Sequence, residues 1–208
     1  MTLTCKQLLQ NHSQVWQKAT VHPFLDRCKS GTIERQQFNT WLVQDYLFVV
    51  EFTRMVARIL AMAPAHHFDV LLGGLIALKD ELNWFQEKAS ERQLNLKTEK
   101  QSTCTEYCNY MESLAAMPYA VQATALWAIE LAYNQGWQLP GKMPDPYNEF
   151  ADRWGNPGFT EYVKLLEQQA DEALQTASEA VHKQAEEAFL NVAKLEKDFW
   201  QMAFNAGL

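Results

Sequence analysis

Apolar residues recur three or four positions apart along most of this chain, and no segment alternates apolar and polar residues over the length of a strand. The spacing predicts long helices over about residues 3–19, 33–62, 65–92, 101–116, 119–136, 159–178 and 180–206, with shorter helical pieces up to about residue 29 and over 147–153. Short connections join these segments. We therefore expect an all-α fold in which seven to eight helices form a single compact domain over residues 1–208.

Proline and glycine mark where the predicted helices end. One helix closes before Pro64 and another before Pro118, because the residue that precedes proline is biased away from helical backbone angles. Gly31 lies in a turn between a short helix and the long helix that follows it. The segment 136–147 holds three of the seven prolines and is the clearest loop.

Three acidic residues interrupt the apolar faces of three different predicted helices: Asp45, Glu130 and Glu196. Carboxylates are rarely buried unless they are paired or hydrogen-bonded. One such residue is usually half of a structural pair, whereas three of them in an aromatic-rich helical chain indicate a polar pocket inside the core. Buried carboxylates with shifted pKa values are what general acid–base catalysis needs.

Asp45 and Glu196 each lie within an apolar stripe. On the helix 33–62, Asp45 is in the middle of the stripe formed by Trp41, Leu42, Phe48, Val49 and Phe52. On the last helix, Glu196 shares its face with Val192, Ala193, Phe199, Trp200 and Ala203. The alternative reading for each is a structural carboxylate that binds a buried arginine or caps a neighbouring helix.

Glu130 belongs to the most apolar helix, 119–136, which is expected to be buried on all sides. No lysine or arginine lies on this helix, so a purely structural Glu130 needs a partner from another helix. Tyr107 is a fourth candidate, because a buried phenol usually finds a hydrogen-bond partner and a carboxylate is a natural one. Taken alone, Tyr107 is more typical of a core residue than of a catalytic one.

Charge and length narrow the classes of function. The net charge is −7, and the 18 lysines and arginines are scattered along the chain, which argues against a nucleic-acid partner and an anionic membrane surface. No apolar run approaches the ~20 residues of a membrane-spanning helix. We expect a cytoplasmic protein, with an organelle as the alternative.

The four cysteines are predicted to be free thiols in a reducing compartment. None forms a C-x-x-C pair. Cys104 and Cys108 are four residues apart on a predicted helix, which separates their β-carbons by roughly 5–6 Å and is too far for an unstrained disulfide.

Metal or haem binding is an alternative that the residues support weakly, and we expect no metal and no cofactor. His22 is the candidate axial ligand, but a histidine before a proline at a helix junction is more typical of a structural residue. Glu179 and His182 form one Glu-x-x-His motif, whereas a di-iron bundle needs two such motifs and further carboxylates.

Several segments stand in the order and spacing of a known family. They are His22-Pro23-Phe24 with Gly31-Thr32, Trp41-Leu42-Val43-Gln44-Asp45-Tyr46, Glu106-Tyr107 with Tyr110-Met111, Tyr147 through Gly155 to Phe159, and Leu195-Glu196-Lys197-Asp198-Phe199-Trp200-Gln201-Met202-Ala203. Over nearly its whole length the chain resembles the TenA family, the thiaminase II group, which has the haem-oxygenase-like helical fold.

The resemblance implies a role for each candidate. Asp45 matches the aspartate that hydrogen-bonds the aminopyrimidine ring, and Glu196 matches the acid–base glutamate of the last helix. Tyr107 matches the tyrosine that supports the site. Aromatic residues that line the ring pocket in the family correspond to Phe48, Trp154 and Phe199, and Trp154 stands where a tyrosine is common.

The chain departs from the better-known branch of the family, which carries a nucleophilic cysteine on the helix equivalent to 119–136. This helix has no cysteine. Its segment Leu126-Trp127-Ala128-Ile129-Glu130 is similar to the TenA_E branch, in which a glutamate is thought to stand in for the thiol. Lys79-Asp80-Glu81-Leu82 with Trp84-Phe85 also resembles that branch.

TenA_E proteins are associated with salvage of thiamin breakdown products, which implies a hydrolase. The substrate would be a small aminopyrimidine that loses formate by deformylation, or loses ammonia to give hydroxymethylpyrimidine. Our hypothesis is that Glu130 activates water and Glu196 shuttles the proton, or the reverse, while Asp45 and Tyr107 hold the ring. Relatives are commonly dimers or tetramers, and an exposed Trp and Met near the loop 136–147 would suit such an interface.

Three alternatives stay open from the sequence. The chain could be a thiaminase II proper, a non-catalytic pyrimidine-binding or regulatory module, or a metal or haem protein on the same fold. The absence of a basic recognition helix argues against direct DNA binding by a regulatory module.

Overall fold

The computed structural model describes residues 2–207, and within that range its regular structure is helical, with no strand. The α-helices are α1 (Cys5–Asn11), α2 (Ser13–Thr20), α3 (Pro23–Ser30), α4 (Arg35–Met62), α5 (Phe68–Glu91), α6 (Ser102–Ser113), α7 (Tyr119–Gln138), α8 (Asn148–Trp154), α9 (Pro157–Gln175) and α10 (Glu179–Phe204). Short 3-10 helices at Ala65–His67 and Leu114–Ala116 precede α5 and follow α6. The predicted all-α fold is confirmed.

Two helix starts differ from the predicted ones because side chains cap them. Thr4 and Gln7 form a capping box in which the Gln7 amide N–H donates to the Thr4 hydroxyl over 3.2 Å, so α1 begins at Cys5. The segment predicted as one helix over 3–19 then divides at His12 into α1 and α2. At α9, the Asn156 side chain accepts from the Phe159 amide over 2.9 Å, and the helix begins at Pro157, two residues earlier than predicted.

The chain forms two compact units. Unit 1 comprises Met1–Ile33 with Pro118–Gln201, and unit 2 comprises Glu34–Met117 with Met202–Leu208. The prediction of a single domain over 1–208 stays a prediction. Among the described residues, no helix is both long enough and apolar enough to cross a membrane.

Unit 1 is built around α7. Nearly every residue from Ala120 to Trp137 on this helix is buried, as expected of a helix that is apolar on all sides. Helices α2, α8 and α9 pack against it, and α1 packs against both α2 and α9.

Unit 2 is built around α4, which packs against α5 and α6. The predicted stripe on α4 is buried, and Asp45 is buried with it. All four cysteines are free and buried, two in each unit, which confirms the prediction of free thiols.

Candidate functional site

Two aromatic contacts join α7 to α10 in unit 1. The rings of Trp127 and Phe189 stack with their centroids 5.9 Å apart. Further along both helices, the rings of Tyr133 and Trp200 lie 5.7 Å apart. The second contact lies closer to the C-terminus on both helices. The segments between the two contacts therefore run side by side in the same direction.

Glu130 lies on the α7 face that these contacts use. It is three residues from Trp127 and three from Tyr133, which places it between them on one side of the helix. Glu130 therefore lies between two aromatic residues that both contact α10. Its exposed fraction is 8%, so the carboxylate is largely removed from water.

Glu196 lies on the face of α10 that carries Phe189 and Trp200, the two residues in contact with α7. It is four residues before Trp200 and seven after Phe189, so all three lie on one side of the helix. The exposed fraction of Glu196 is 1%. Both predicted catalytic carboxylates are therefore buried in unit 1, on the two helices that these aromatic contacts join.

Trp154 on α8 adds a third helix to these aromatic contacts in unit 1. Its ring meets Tyr133 edge-on at 5.7 Å and stacks on Trp137 at 5.5 Å. The Asn134 amide donates to the Trp154 carbonyl over 2.7 Å, which fixes the end of α8 against α7. Phe199, the other aromatic residue predicted in this unit, is buried on α10 three residues after Glu196.

The Trp200 indole positions α10 within the unit. Its Nε1–H donates to the Ala19 carbonyl over 3.1 Å, and its ring lies 5.4 Å from that of Phe24. An ideal Cβ at Gly136 would lie 3.6 Å from the Trp200 ring and 3.4 Å from Leu25, so only a small residue fits at that turn of α7. These contacts could not be predicted from the sequence, because their partners come from distant segments.

Unit 2 holds the other predicted residues, Asp45, Phe48 and Tyr107. Asp45 and Phe48 are three residues apart on α4, and the Phe48 ring lies 4.8 Å from the Tyr107 ring on α6. The Asp45 carboxylate is completely buried and acts electrostatically on Cys104, one turn before Tyr107. These three residues therefore form one cluster where α4 faces α6.

Gln44 holds the segment before α6 next to this cluster, although no pattern in the sequence singles it out. Its side-chain oxygen accepts from the Gln101 amide over 2.8 Å, and its side-chain nitrogen donates to the Glu99 carbonyl over 3.3 Å. The segment that leads into α6 is thereby attached to α4 beside Asp45. A glutamine next to an aspartate carries no local pattern that predicts partners more than fifty residues away.

His22 has a structural role that accounts for both ring nitrogens. Its Nδ1 accepts from the Phe24 amide over 3.1 Å and caps α3, and its Nε2 lies 3.3 Å from Oε1 of Gln201. Burial lowers the pKa of His22 from its ordinary value, so the neutral ring is favoured. An axial metal ligand needs a ring nitrogen that these two contacts already use.

The Glu179-x-x-His182 motif is likewise engaged in structural contacts. Nε2 of His182 lies 2.8 Å from the Leu174 carbonyl and closes the end of α9. Glu179 makes an exposed ion pair with Lys183 at 3.5 Å.

The model of the TENA/THI-4/PQQC family matches residues 9–206. The chain belongs to that family. The match spans α2 to α10 and the last part of α1, and so includes every residue predicted to act in catalysis or substrate binding.

Relatives of this TenA-family chain cover most of its length. A Glycine max protein named "Probable bifunctional TENA-E protein" is 36% identical over 94% of this chain and 90% of its own length. An aminopyrimidine aminohydrolase of Halalkalibacterium halodurans is 25% identical over 95% of this chain and 94% of its own. The crystal structure of a TenA homologue from Pyrococcus furiosus superimposes with a TM-score of 0.91 and 30% identity, covering 96% of this chain and 98% of that one.

The expectation of an exposed tryptophan and methionine near the loop 136–147 is wrong for this TenA-family chain. Trp137 and Met143 are both buried. Trp137 stacks on Phe150 and Trp154, since α8 folds back over the end of α7. The loop keeps one large exposed apolar residue, Leu139, among the described residues 136–147.

Proposed function

We propose that this chain hydrolyses a C–N bond of small aminopyrimidines that arise from thiamin breakdown. The observation that carries this proposal is that Glu130 and Glu196 are both buried in unit 1, on helices α7 and α10, which two aromatic contacts join. The aminopyrimidine aminohydrolase and TENA-E names of the relatives support the same reaction. The absence of a cysteine from α7 favours hydrolysis by water over catalysis by a thiol at that position.

The reaction needs two proton transfers, which two carboxylates can divide. For a formylaminopyrimidine, Glu130 takes a proton from water, the water oxygen bonds to the formyl carbon, and the C–N bond breaks. Glu196 passes a proton to the departing amine, and formate is the second product. For an aminomethylpyrimidine, the same pair delivers water to the methylene carbon, and ammonia leaves. The division of labour works if the surroundings of the two acids separate their pKa values.

The surroundings of the pair suit such chemistry. Trp127 and Tyr133 flank Glu130 along α7, Trp200 follows Glu196 by one turn of α10, and both glutamates are buried. Burial away from bulk water strengthens electrostatic interactions with a charge that develops during the reaction. Trp154 and Phe199 supply flat apolar surface in the same unit, as the family resemblance implies for a ring pocket.

The family resemblance implies ring-binding roles for Asp45, Tyr107 and Phe48, and these roles stay predictions. In this proposal Asp45 accepts hydrogen bonds from the aminopyrimidine, Tyr107 supports it, and Phe48 contacts the ring face. The buried carboxylate and the adjoining ring pair support this assignment. The cytoplasmic location and the assembly into a homodimer or homotetramer stay predictions.

Product analysis tests the proposed function. The purified protein is incubated separately with formylaminopyrimidine, aminomethylpyrimidine and thiamin, and the products are followed by chromatography with mass detection. We expect turnover of at least one of the two pyrimidines and no cleavage of thiamin. Thiamin cleavage would indicate thiaminase II chemistry instead, and inertness towards all three compounds would refute the hydrolase and favour a binding module.

A further inference from the structure

One face of α5, in unit 2, leaves large apolar side chains in water. Phe68, Leu72 and Ile76 are exposed by 37%, 45% and 65%, and their spacing of four residues aligns them in one stripe along the helix, the α5 stripe. Met62, the last residue of α4, is also exposed. Of the eight large exposed hydrophobic residues in the described chain, four lie within these fifteen positions. Single exposed hydrophobic residues are normal on a protein surface, whereas a contiguous group indicates a contact with another molecule.

Gly73 borders the α5 stripe at a position where α5 itself does not require glycine. It lies in the interior of a 24-residue helix, where glycine is less favourable than alanine. A Cβ at Gly73 would meet nothing within 4 Å, so packing among the described residues does not explain the glycine. An exposed glycine lets another backbone approach closely. Gly73 therefore leaves room for a second helix beside Leu72 and Ile76.

Two opposite charges flank the α5 stripe at equal distances from its centre. Asp69 precedes the midpoint between Leu72 and Ile76 by five residues, and Lys79 follows that midpoint by five. Both are exposed, and neither forms an ion pair within the described part of the chain. At the rise of an α-helix, each charge lies about 7.5 Å along the axis from the midpoint. An antiparallel copy of α5 therefore brings Asp69 level with Lys79 of the partner subunit, and does so twice.

We propose that the α5 stripe is the interaction surface for a second copy of this chain, and that the two α5 helices pack antiparallel about a twofold axis. A twofold interface uses the same patch on both subunits, so the patch must be complementary to itself. The α5 stripe meets this requirement, because Leu72 faces Ile76 of the partner subunit and each flanking acid faces a base. The interface is separate from the proposed hydrolase, since neither Glu130 nor Glu196 lies on α5.

A membrane surface fits the α5 stripe less well than a second copy does. Helices that lie on anionic membranes are rich in lysine and arginine beside their apolar face. The α5 stripe instead has the acids Asp69 and Asp80 beside the single base Lys79. This mixture of signs suits a protein partner that offers both charges.

Sedimentation analysis of the purified protein tests the interface and needs no substrate, so its outcome is independent of the hydrolase. Concentrations between about 1 and 100 µM cover the range in which interfaces of modest area dissociate. At the upper end we expect a mass of at least twice the 24.0 kDa of the chain. Leu72→Glu and Ile76→Glu each place a charge in the apolar contact and should weaken association at least about tenfold.

Leu165→Glu is the matched control for these two variants. Leu165 is exposed by 37%, as Phe68 is, but it lies on α9 in unit 1. Its replacement should leave association unchanged. Far-UV circular dichroism checks that each variant is folded.

Charge reversal tests the antiparallel arrangement. Asp69→Lys and Lys79→Asp should each weaken association several-fold, because each brings like charges level with one another. The double variant carries opposite charges again and should regain most of the association of the wild type.

The proposal is overturned if the wild-type protein is a monomer throughout this concentration range. It is also overturned if Leu72→Glu weakens association no more than Leu165→Glu does, or if the double charge variant associates no better than the two single variants. Vesicles of anionic phospholipid give the last check. A monomeric protein that binds them through Leu72 would assign the stripe to a membrane and contradict the proposal.

Discussion

Glu130 and Glu196 are chemically alike, and only their surroundings can give them different roles. Glu130 lies between a tryptophan and a tyrosine on α7, and Glu196 shares its face of α10 with Phe189 and Trp200. In such apolar surroundings a neighbouring charge or dipole acts far more strongly than in water. Small differences between the two sites are therefore enough to separate an acid from a base.

At the residue scale, the sequence is most informative where a residue contradicts its neighbours. Asp45, Glu130 and Glu196 each interrupt an apolar face, and all three are buried. The sequence is uninformative where the decisive partner is distant along the chain. Tyr133 and Trp200 look like ordinary core residues in the chain, and only their contact shows that they join α7 to α10.

His22 predicts a pH dependence of stability. Because burial lowers its pKa below the unfolded value near 6.5, the unfolded chain binds more protons than the native protein just below that pH. The free energy of unfolding should therefore fall as the pH is lowered through 6.5 towards the pKa of the folded state. Urea titrations at a series of pH values between about 7.5 and 5 measure this loss.

The His22→Asn variant isolates the histidine contribution. Asparagine can still accept from the Phe24 amide as the cap of α3, but it does not titrate. We expect the variant to lose less stability than the wild type over the same pH range. Equal losses in the two proteins would mean that other groups cause the acid sensitivity.

At the scale of helices, the hydrophobic periodicity of the sequence predicts where the long helices lie. It does not predict the residues at which capped helices begin. α7 is apolar on all sides in sequence and buried on all sides in the structure. No proline or glycine marks the division between α1 and α2 at His12 in the sequence. The capping of helices by Thr4 and Asn156 depends on the conformation of their side chains. Helix existence therefore follows from hydrophobic spacing, whereas helix ends follow from hydrogen bonds to individual side chains.

The start of α6 should depend on one side chain of α4. Gln44→Met keeps a similar shape but removes the partners of the Gln101 amide and the Glu99 carbonyl. We expect a loss of about 1–3 kcal/mol in the free energy of unfolding, because two hydrogen bonds are removed and each usually contributes about 0.5–1.5 kcal/mol. Equilibrium unfolding in urea gives this value.

Gln36→Met is the matched control for Gln44→Met. Gln36 is exposed on the same helix, so its replacement should change the free energy of unfolding by less than about 0.5 kcal/mol. If Gln44→Met is no more destabilising than this control, the attachment of α6 to α4 through Gln44 carries little of the stability of unit 2.

For the molecule as a whole, sequence order was more informative than composition. Motifs from His22 to Trp200 were recognised in the correct order, and the TENA/THI-4/PQQC match over residues 9–206 confirms the family. Net charge and hydrophobic content describe many globular proteins and exclude only broad classes.

The central claim is that the two carboxylates between α7 and α10 carry out hydrolysis, and kcat of the Glu130→Gln and Glu196→Gln variants tests it most directly. Each replacement keeps the shape and removes the proton acceptor, so we expect kcat on the preferred aminopyrimidine to fall about 10²- to 10⁴-fold. Glu187→Gln, on the exposed face of α10, should keep wild-type kcat. Near-normal turnover in both interface variants would contradict the account.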